Sequence, residues 1–243
     1  MPMPTVHGVI ARRLLVNFRV DPQVLQRQLP APFRVAEVAG WGIAGVCLIR
    51  LVHERPRFWP RWLGLASENA AHRIAVKVPT GDGDRPGVYV VRRDTDSRWN
   101  RLVGGRLFPG VHHAATFTVD EDGGRIALAL QSRDGATAVE VRGRAATALP
   151  ADSVFADVAA ASAFFEQGAL GWSPARAAGC FDCLELRSFG WRVEPLAVEH
   201  VRSSWLDDPA RFPPGSVRFD SALRMRHVDH EWRAHRQLRA GLS

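Results

Sequence analysis

Residues 62–78, with the sequence Trp-Leu-Gly-Leu-Ala-Ser-Glu-Asn-Ala-Ala-His-Arg-Ile-Ala-Val-Lys-Val, contain the pattern that decides the fold. From position 70 onward the side chains alternate with a period of two, which is the period of a β-strand. One face carries Ala70, His72, Ile74, Val76 and Val78, and the other carries Ala71, Arg73, Ala75 and Lys77. Because Glu68 and Asn69 enter a strand with one mostly apolar face and one cationic face, we predict that this strand lines a cavity.

The composition is that of one globular domain spanning residues 1–243. Hydrophobic residues make up 46% of the chain, which is enough for a buried core. No apolar run reaches the ~18 residues that a membrane-spanning helix needs, and we expect no membrane partner. The first residues lack the charged start and apolar run of a secretory signal. The three cysteines, Cys47, Cys180 and Cys183, are too few for a disulfide framework, so the sequence predicts a cytoplasmic protein.

The charge of the chain is strongly basic but evenly spread. The formal net charge is +7 and the sequence pI is near 10.7. The arginines occur along the whole chain without a run of four or more basic residues, and Lys77 is the only lysine. Nucleic-acid binding requires clustered positive charge, so we expect no nucleic-acid partner. An anionic small molecule remains compatible with this charge.

The order of the predicted elements indicates a mostly β, α+β fold. A turn at residues 80–84 joins the strand at 70–78 to a hairpin partner at 87–94. Strands at 112–119, 125–132 and 137–147 are separated by turns rich in Gly and Asp, as in an antiparallel meander. A helix capped by Asp152 or Ser153 then has apolar residues at helical spacing, namely Val154, Phe155, Val158, Ala161, Phe164 and Phe165. Further strands follow, and we predict an antiparallel sheet wrapped around itself with a few helices outside it.

Four segments in succession resemble a known bacterial family. They are residues 16–30 (Val-Asn-Phe-Arg-Val-Asp-Pro-Gln-Val-Leu-Gln-Arg-Gln-Leu-Pro), 41–46 (Trp-Gly-Ile-Ala-Gly-Val), 63–73 (Leu-Gly-Leu-Ala-Ser-Glu-Asn-Ala-Ala-His-Arg) and 86–92 (Pro-Gly-Val-Tyr-Val-Val-Arg). The family is the domain of unknown function 2071 (DUF2071), which is placed in the acetoacetate decarboxylase-like superfamily. The resemblance covers most of the chain, is strongest over the first half, and rests on the succession of segments.

The resemblance implies an antiparallel β-barrel or open cone around a central small-molecule cavity. In decarboxylases of this superfamily, a lysine after the central hairpin forms a Schiff base with a β-keto acid. The corresponding residues 94–109 contain no lysine, and an arginine stays protonated and cannot replace that amine. The resemblance therefore implies a relative without the Schiff-base lysine. Lys77 is the one remaining amine for such a role, and its alternative is a solvated lysine on a strand.

The candidate site combines one carboxylate with polar and cationic side chains. Glu68 matches a functional glutamate of the superfamily and is the candidate catalytic residue, with a structural ion pair as its alternative role. The candidate substrate-binding residues are Asn69, Arg73, Arg92 and Arg106. Arginine pairs well with carboxylates, so the predicted ligand is an organic acid. The segment at 56–62, rich in Pro, Trp and Arg, is predicted near the mouth of the cavity, and we expect no cofactor.

Three functions remain open from the sequence. The first is a protein that binds a small molecule. The second is a lyase, hydratase or aldolase-like enzyme that uses Glu68 as general acid or base on a carbonyl compound. The third is a scaffold that acts through protein contacts, and homo-oligomer formation is also left open. His112 and His113 begin a strand and face opposite ways, so at most one reaches a cavity. The His-rich segment at 227–235 lacks a second ligand cluster, and we expect no metal.

Overall fold

The computed structural model describes residues 5–80, 83–103 and 109–239, and most of that chain is β-strand. The strands, in chain order, are β1 (Val6–Val20), β2 (Arg34–Val35), β3 (Glu37–Val38), β4 (Trp41–Pro56), β5 (Leu65–Thr80), β6 (Gly83–Thr95), β7 (His112–Asp122), β8 (Arg125–Ser132), β9 (Ala138–Ala145), β10 (Leu170–Pro174), β11 (Cys180–Phe189), β12 (Glu194–Ser203) and β13 (Val217–Arg239). The helices are α1 (Pro22–Gln26), α2 (Arg98–Val103) and α3 (Val158–Gln167), with a 3-10 turn at Arg61–Leu63. The predicted α+β, mostly β fold is confirmed.

The strands form one sheet that closes on itself in two rings. The first ring runs through β13, β1, β4, β5, β6, β10 and β11, and it closes because β11 pairs with β13. The second ring leaves β6 through β7, β8, β9 and β12 and returns to β13. Both rings use β13, β1, β4, β5 and β6. The predicted hairpin is present as β5 and β6, with Ile74 opposite Tyr89.

Two pairings of the sheet are parallel, which the sequence pattern did not predict. Strand β6 pairs in parallel with β7 and with β10, whereas the other pairings are antiparallel. A parallel pair needs a crossover between its strands. The connection from β6 to β7 contains α2 and therefore has the length that a crossover needs, while hairpin signals in the sequence report only short antiparallel turns.

Parts of β1 and β4 are buried on both faces, which explains the apolar runs in their sequences. On β1, Leu14 and Val16 face one hydrophobic core and Leu15 faces another. Strand β4 divides in the same way, with Leu48 in the first core and Ile49 in the second. Residues 42–49 of β4 are therefore buried without interruption.

Helix α3 begins later than the sequence pattern indicates. Its N-cap is Asp157, whose carboxylate accepts a hydrogen bond from the Ala160 amide at 2.7 Å. The prediction of a cap at Asp152 or Ser153 is wrong, because the hydroxyl of Ser153 donates to Asp220 and the preceding turn stays outside the helix. The apolar spacing was correct for Phe165, which α3 presents to the first ring.

Helix α2 covers Arg98–Val103, and residues 104–108 lie outside the described residues. None of the helices in the described ranges combines the length and the apolarity that crossing a bilayer requires.

Candidate functional site

A cavity of about 460 Å³ lies within the first ring. Every strand of that ring contributes to its wall, and α2 and α3 contribute at its edges. Most of the wall is apolar, formed by residues that include Ile49, Leu51, Val88, Val90, Leu184, Leu186, Trp191 and Trp232. Pockets for small ligands in proteins usually have volumes of about 300–1,000 Å³ and a mainly apolar lining with a few polar groups. The size and lining of this cavity therefore suit a small organic ligand.

Arg73 supplies one cationic group to this wall. Its Nη2 donates to Oδ1 of Asn17 at 2.8 Å, and its guanidinium carbon lies 5.0 Å from the ring centroid of Phe165. The Nε atom is buried and has no hydrogen-bond partner within residues 5–80, 83–103 and 109–239. Burial lowers the pKa of Arg73 to about 10, so the group still carries its charge at neutral pH. Arg13 also lines the cavity, and its positive charge further lowers the pKa of Arg73. The Nε atom of Arg13 donates to the sulfur of Cys47 at 3.3 Å.

Arg93 supplies a second cationic group from β6. Its Nη1 is buried without a hydrogen-bond partner among the described residues, and burial lowers the pKa of Arg93 to about 10. The guanidinium packs against Gly110, where a Cβ atom would come within 2.5 Å of Nη1. Asp182 raises the pKa of Arg93 in part and accepts a hydrogen bond from the Gly110 amide at 3.0 Å. Among the described residues, neither Arg73 nor Arg93 forms a direct ion pair with a carboxylate.

His112 lies beside Arg93 as a neutral hydrogen-bonding group. It is opposite Arg93 in the parallel pairing of β6 and β7, and it lines the cavity. Burial lowers the pKa of His112 to about 3, and the nearby charge of Arg93 lowers it further. The Nδ1 atom is 3.1 Å from the carbonyl oxygen of Gly110. Because a carbonyl only accepts, a neutral ring here has its proton on Nδ1 and keeps Nε2 as an acceptor.

A pair of amides completes the polar part of the wall. Asn69 of β5 accepts a hydrogen bond from the amide of Asn100 on α2 at 3.1 Å, and it donates to the hydroxyl of Ser67 at 2.9 Å. Both amides line the cavity. This network fixes α2 against the beginning of β5.

The five predicted site residues fall in different places. Asn69 and Arg73 line the cavity. Glu68 is not among the lining residues, and its side chain lies with Arg12 at 2.5 Å and Arg50 at 3.1 Å. Arg92 is also outside the lining and pairs with two carboxylates, those of Asp94 and Asp134. Arg106 lies outside the described residues.

The ion pairs around Glu68 connect β5 with β1, β4 and β7. Arg12 of β1 bonds Glu68 of β5 and also Glu121 of β7, at 3.1 Å. Glu68 and Arg12 are both almost fully buried. This arrangement is the structural ion pair that the sequence left open as the alternative role of Glu68.

Lys77 lies away from the 460 Å³ cavity. It lines a second cavity of about 240 Å³ and is itself exposed. The two cavities share Arg13, Arg73 and Phe165, so they adjoin each other across these side chains. Because Lys77 is the only lysine in the chain, no lysine lines the larger cavity.

The C-terminal histidines separate as expected for a strand. His230 is buried with Glu54 at 2.9 Å, whereas His227 is exposed. In the part of the chain that the structure describes, no group of three or more His, Cys, Asp or Glu side chains could hold a metal ion.

Sequence reasoning missed Arg13 and Arg93. The register of β5 and β6 shifts by one residue, so that Ala71 is opposite Arg93 while Arg73 is opposite Val90. The bulge turns the side chain of Arg93 toward the cavity. With strict alternation from Val90, the side chain of Arg92 would point there instead. Strand β1 carries Arg12, Arg13 and Arg19, so its sequence offers Arg13 as one of three arginines and does not single it out.

Comparison with known proteins agrees with this architecture. A family model described as an uncharacterized conserved protein, DUF2071, matches residues 10–167. The chain belongs to the DUF2071 family. No curated protein sequence matches this DUF2071 protein.

Solved structures show that the DUF2071 protein has the acetoacetate decarboxylase-like fold. An acetoacetate decarboxylase-like enzyme from Sphingomonas wittichii RW1 superposes with a TM-score of 0.60 at 16% identity, over 97% of this chain and 93% of that one. The acetoacetate decarboxylase of Legionella pneumophila gives 0.60 at 11% identity, over 99% and 89%. The enduracididine biosynthesis enzyme MppR, complexed with the condensation product of pyruvate and imidazole 4-carboxaldehyde, gives 0.62 at 12% identity, over 100% and 92%. The acetoacetate decarboxylase-like fold that the resemblance implied is confirmed.

Proposed function

We propose that this DUF2071 protein binds a small organic acid in the 460 Å³ cavity of the first ring. The observation that carries the proposal is that, within the described part of the chain, Arg73 and Arg93 each have a buried guanidinium nitrogen without a hydrogen-bond partner. A buried donor without a partner costs free energy, and the cost is larger when the group is charged. A bound carboxylate would accept from both arginines and remove this cost.

The rest of the wall suggests how such a ligand is oriented. The carboxylate would lie toward Arg73 and Arg93, with Nε2 of His112 free to accept a hydrogen bond from a hydroxyl group of the ligand. Asn69 and Asn100 offer amide groups on the side of α2. The apolar remainder of the wall favours a ligand with a hydrocarbon portion. MppR, which has the same fold, is described in complex with pyruvate, a small 2-oxo acid.

The geometry favours binding over acid–base catalysis by Glu68. A general acid or base must reach the substrate and release or accept a proton. Glu68 instead lies between Arg12 and Arg50 and does not line the cavity. The alternative of a lyase, hydratase or aldolase-like enzyme that uses Glu68 would require this buried ion pair to open.

The proposal is tested by titrating the purified protein with pyruvate and longer 2-oxo and aliphatic carboxylic acids in a calorimeter. We expect Arg73→Gln and Arg93→Gln each to weaken binding of the best acid by roughly 10- to 100-fold, as loss of a charge-assisted hydrogen bond of about 1.5–3 kcal/mol requires. Arg142→Gln is the matched control, because Arg142 is an exposed arginine on β9 that does not line the cavity.

Two results would contradict the proposal. One is the absence of binding for every acid in the series. The other is equal affinity in the wild type and in both cavity variants, since the acid would then bind elsewhere. The primary amide of the best acid is a second control, because it keeps the shape of the ligand and removes its charge.

A further inference from the structure

A group of large apolar side chains is exposed around one side of the cavity. They lie in the segment between β4 and β5, at the start of β5 and on α2, and we call them the aromatic rim: Phe58, Trp59, Trp62, Leu63, Leu65 and Trp99. Phe58 and Trp62 are each 79% exposed and Trp99 is 59% exposed. Single exposed apolar residues are ordinary, but a grouped apolar surface of this kind marks a site of interaction.

The aromatic rim is one surface at the mouth of the cavity. The rim residues at 58–65 and Trp99 on α2 belong to segments that are joined by a hydrogen bond. Asn100 of α2 donates to the hydroxyl of Ser67 at 3.3 Å. Leu65 and Trp99 are exposed and also line the cavity, so the apolar surface continues from the rim into the interior.

Internal contacts fix the segment that carries most of the rim. Arg55 donates to the carbonyl oxygens of Trp59 at 3.1 Å and His53 at 2.9 Å. Gly64 packs directly on the backbone of His53, where a Cβ atom would lie 2.4 Å from Cα. The rim is therefore presented by a folded loop with defined internal bonds.

Exposed arginines alternate with the apolar residues of the rim. They are Arg57, Arg61, Arg98 and Arg101. The sequence has no Asp or Glu between positions 55 and 67 or between 97 and 103. The surface that surrounds the exposed rings is thus cationic, and a partner that covers it must offer negative charge together with an apolar layer.

We propose that the aromatic rim docks on the surface of an anionic lipid bilayer. Tryptophan, phenylalanine and leucine side chains interleaved with arginine match such a surface, because the rings enter the region below the headgroups while the guanidinium groups bind phosphates. A second copy of the chain fits less well, because a twofold contact would place these arginines against themselves. Peripheral docking needs no membrane-spanning segment, so the lack of one in the sequence does not oppose it.

Docking of the rim would give the cavity access to ligands dissolved in a bilayer. If the proposed function holds, on which this step rests, the ligand class narrows to lipophilic carboxylic acids. Such an acid would pass from the bilayer along Leu65 and Trp99 into the cavity, with its carboxylate toward Arg73 and Arg93. The apolar path spares its hydrocarbon portion from crossing water.

The test is cosedimentation of the full chain with large vesicles, without added acid. Vesicles of phosphatidylcholine alone are compared with vesicles of equal parts phosphatidylcholine and phosphatidylglycerol. We expect the protein to pellet with the anionic vesicles only, and less of it as salt is raised. The double variant Phe58→Ser/Trp62→Ser should partition at least about tenfold less, since each lost ring removes apolar burial worth more than 1 kcal/mol of transfer. The charge variant Arg57→Gln/Arg61→Gln should also partition less.

Matched controls lie elsewhere on the surface. Phe189→Ser removes an exposed ring from β11, and Arg125→Gln/Arg142→Gln removes two exposed charges from β8 and β9. Both controls should pellet like the wild type. Neither Phe58 nor Trp62 lines the cavity, so their double variant should keep the wild-type affinity for a water-soluble acid. If the wild type binds anionic vesicles but no organic acid, that result counts against the proposed function and not against docking.

Three outcomes would overturn the docking proposal. The first is no pelleting with anionic vesicles. The second is pelleting that the rim variants leave unchanged. The third is a wild-type dimer in analytical ultracentrifugation that becomes a monomer in Phe58→Ser/Trp62→Ser while no variant binds vesicles, because the rim would then be a contact between two copies.

Discussion

Arg73 and Arg93 each keep one buried donor that no described residue satisfies. A buried donor of a charged group without a partner costs about 1–3 kcal/mol of folding free energy or more. This cost arises for two arginines at the wall of one cavity. Burial lowers the pKa of each arginine to about 10, so both remain charged at neutral pH. Strongly perturbed groups that gather in a cavity are typical of functional sites. At the scale of single residues, these two side chains are the strongest argument for an anionic ligand.

His72 is a buried histidine, and neither of its ring nitrogens has a hydrogen-bond partner in the part of the chain that the structure describes. It packs edge-on against Trp205, with 5.8 Å between the ring centroids, and it lies in the other core rather than in the cavity. Burial lowers the pKa of His72 to about 4, with a further contribution from Arg92. The folded protein therefore keeps this ring neutral under conditions in which the unfolded chain protonates it.

The shifted pKa of His72 predicts part of the pH dependence of stability. Its pKa of 6.5 in the unfolded chain and about 4 in the folded protein mean that the unfolded state binds more protons between these values. Stability is then lost as pH falls from about 6.5 to about 4. We expect His72→Phe to remove on the order of 3 kcal/mol of that loss.

Urea unfolding of the wild type and of His72→Phe across this pH range measures the effect. The phenylalanine ring is planar like imidazole, does not titrate and needs no hydrogen-bond partner, so the readout is the slope of stability with pH and not the stability at neutral pH. Stability curves that run parallel from pH 6.5 to pH 4 would show that His72 is not the titrating group. His112, whose pKa is also lowered, contributes equally to both proteins.

Alternation along a strand explains which site residues the sequence could predict. Asn69 and Arg73 line the cavity as the pattern of β5 indicated. The sequence predicted Arg92 as a site residue, whereas Arg93 lines the cavity. The one-residue shift in the pairing of β6 with β5 cannot be seen in the sequence of β6 alone. Glu68 has the residue type of a catalytic group, and only the coordinates bring it to Arg12, which is remote in sequence.

The junction of β6, β7 and β11 holds Arg93 in place. Gly110 precedes β7 with a φ of +90°, and Arg93 of β6 packs against it while Asp182 of β11 binds its amide. A side chain at position 110 would meet the end of the flexible Arg93 side chain, which would have to move. Gly110 thus lets the Arg93 guanidinium lie directly against the backbone at the junction of the three strands.

Gly110→Ala should therefore affect ligand binding more than stability. We expect it to weaken binding of the organic acid by roughly tenfold or more, because Arg93 loses its position and with it a charge-assisted hydrogen bond. Gly190→Ala is the matched control, because Gly190 has a φ of +84° and nothing within 4 Å of an added Cβ atom. Both variants carry a similar backbone cost of about 1 kcal/mol. Equal acid affinities in the two variants would contradict the role given to Gly110.

The sequence predicted the elements better than it predicted their ends. Helix α3 was predicted from its apolar spacing, but its first residue depends on Asp157, one of several residues suited to a cap. The turn before it is held instead by Asp220, which is remote in sequence. Long-range hydrogen bonds of this kind leave no local pattern, so propensity alone cannot place the helix start.

The whole molecule consists of two rings that share a set of strands and differ in their interiors. In the second ring, apolar side chains such as Leu14, Val16 and Val141 pack into a core. The first ring encloses the cavity, and Phe165 of α3 lies at its wall. The sequence indicated a closed sheet from its hairpins and alternation. It could not tell which interior is hollow, because that depends on how all the inward side chains fill the space together.

A crystal structure of the protein soaked with its tightest-binding organic acid tests the proposed binding site most directly. We predict the carboxylate in the 460 Å³ cavity, with oxygen atoms about 3 Å from guanidinium nitrogens of Arg73 and Arg93. A carboxylate bound at Arg92 or Lys77, with both cavity arginines still lacking partners, would contradict it.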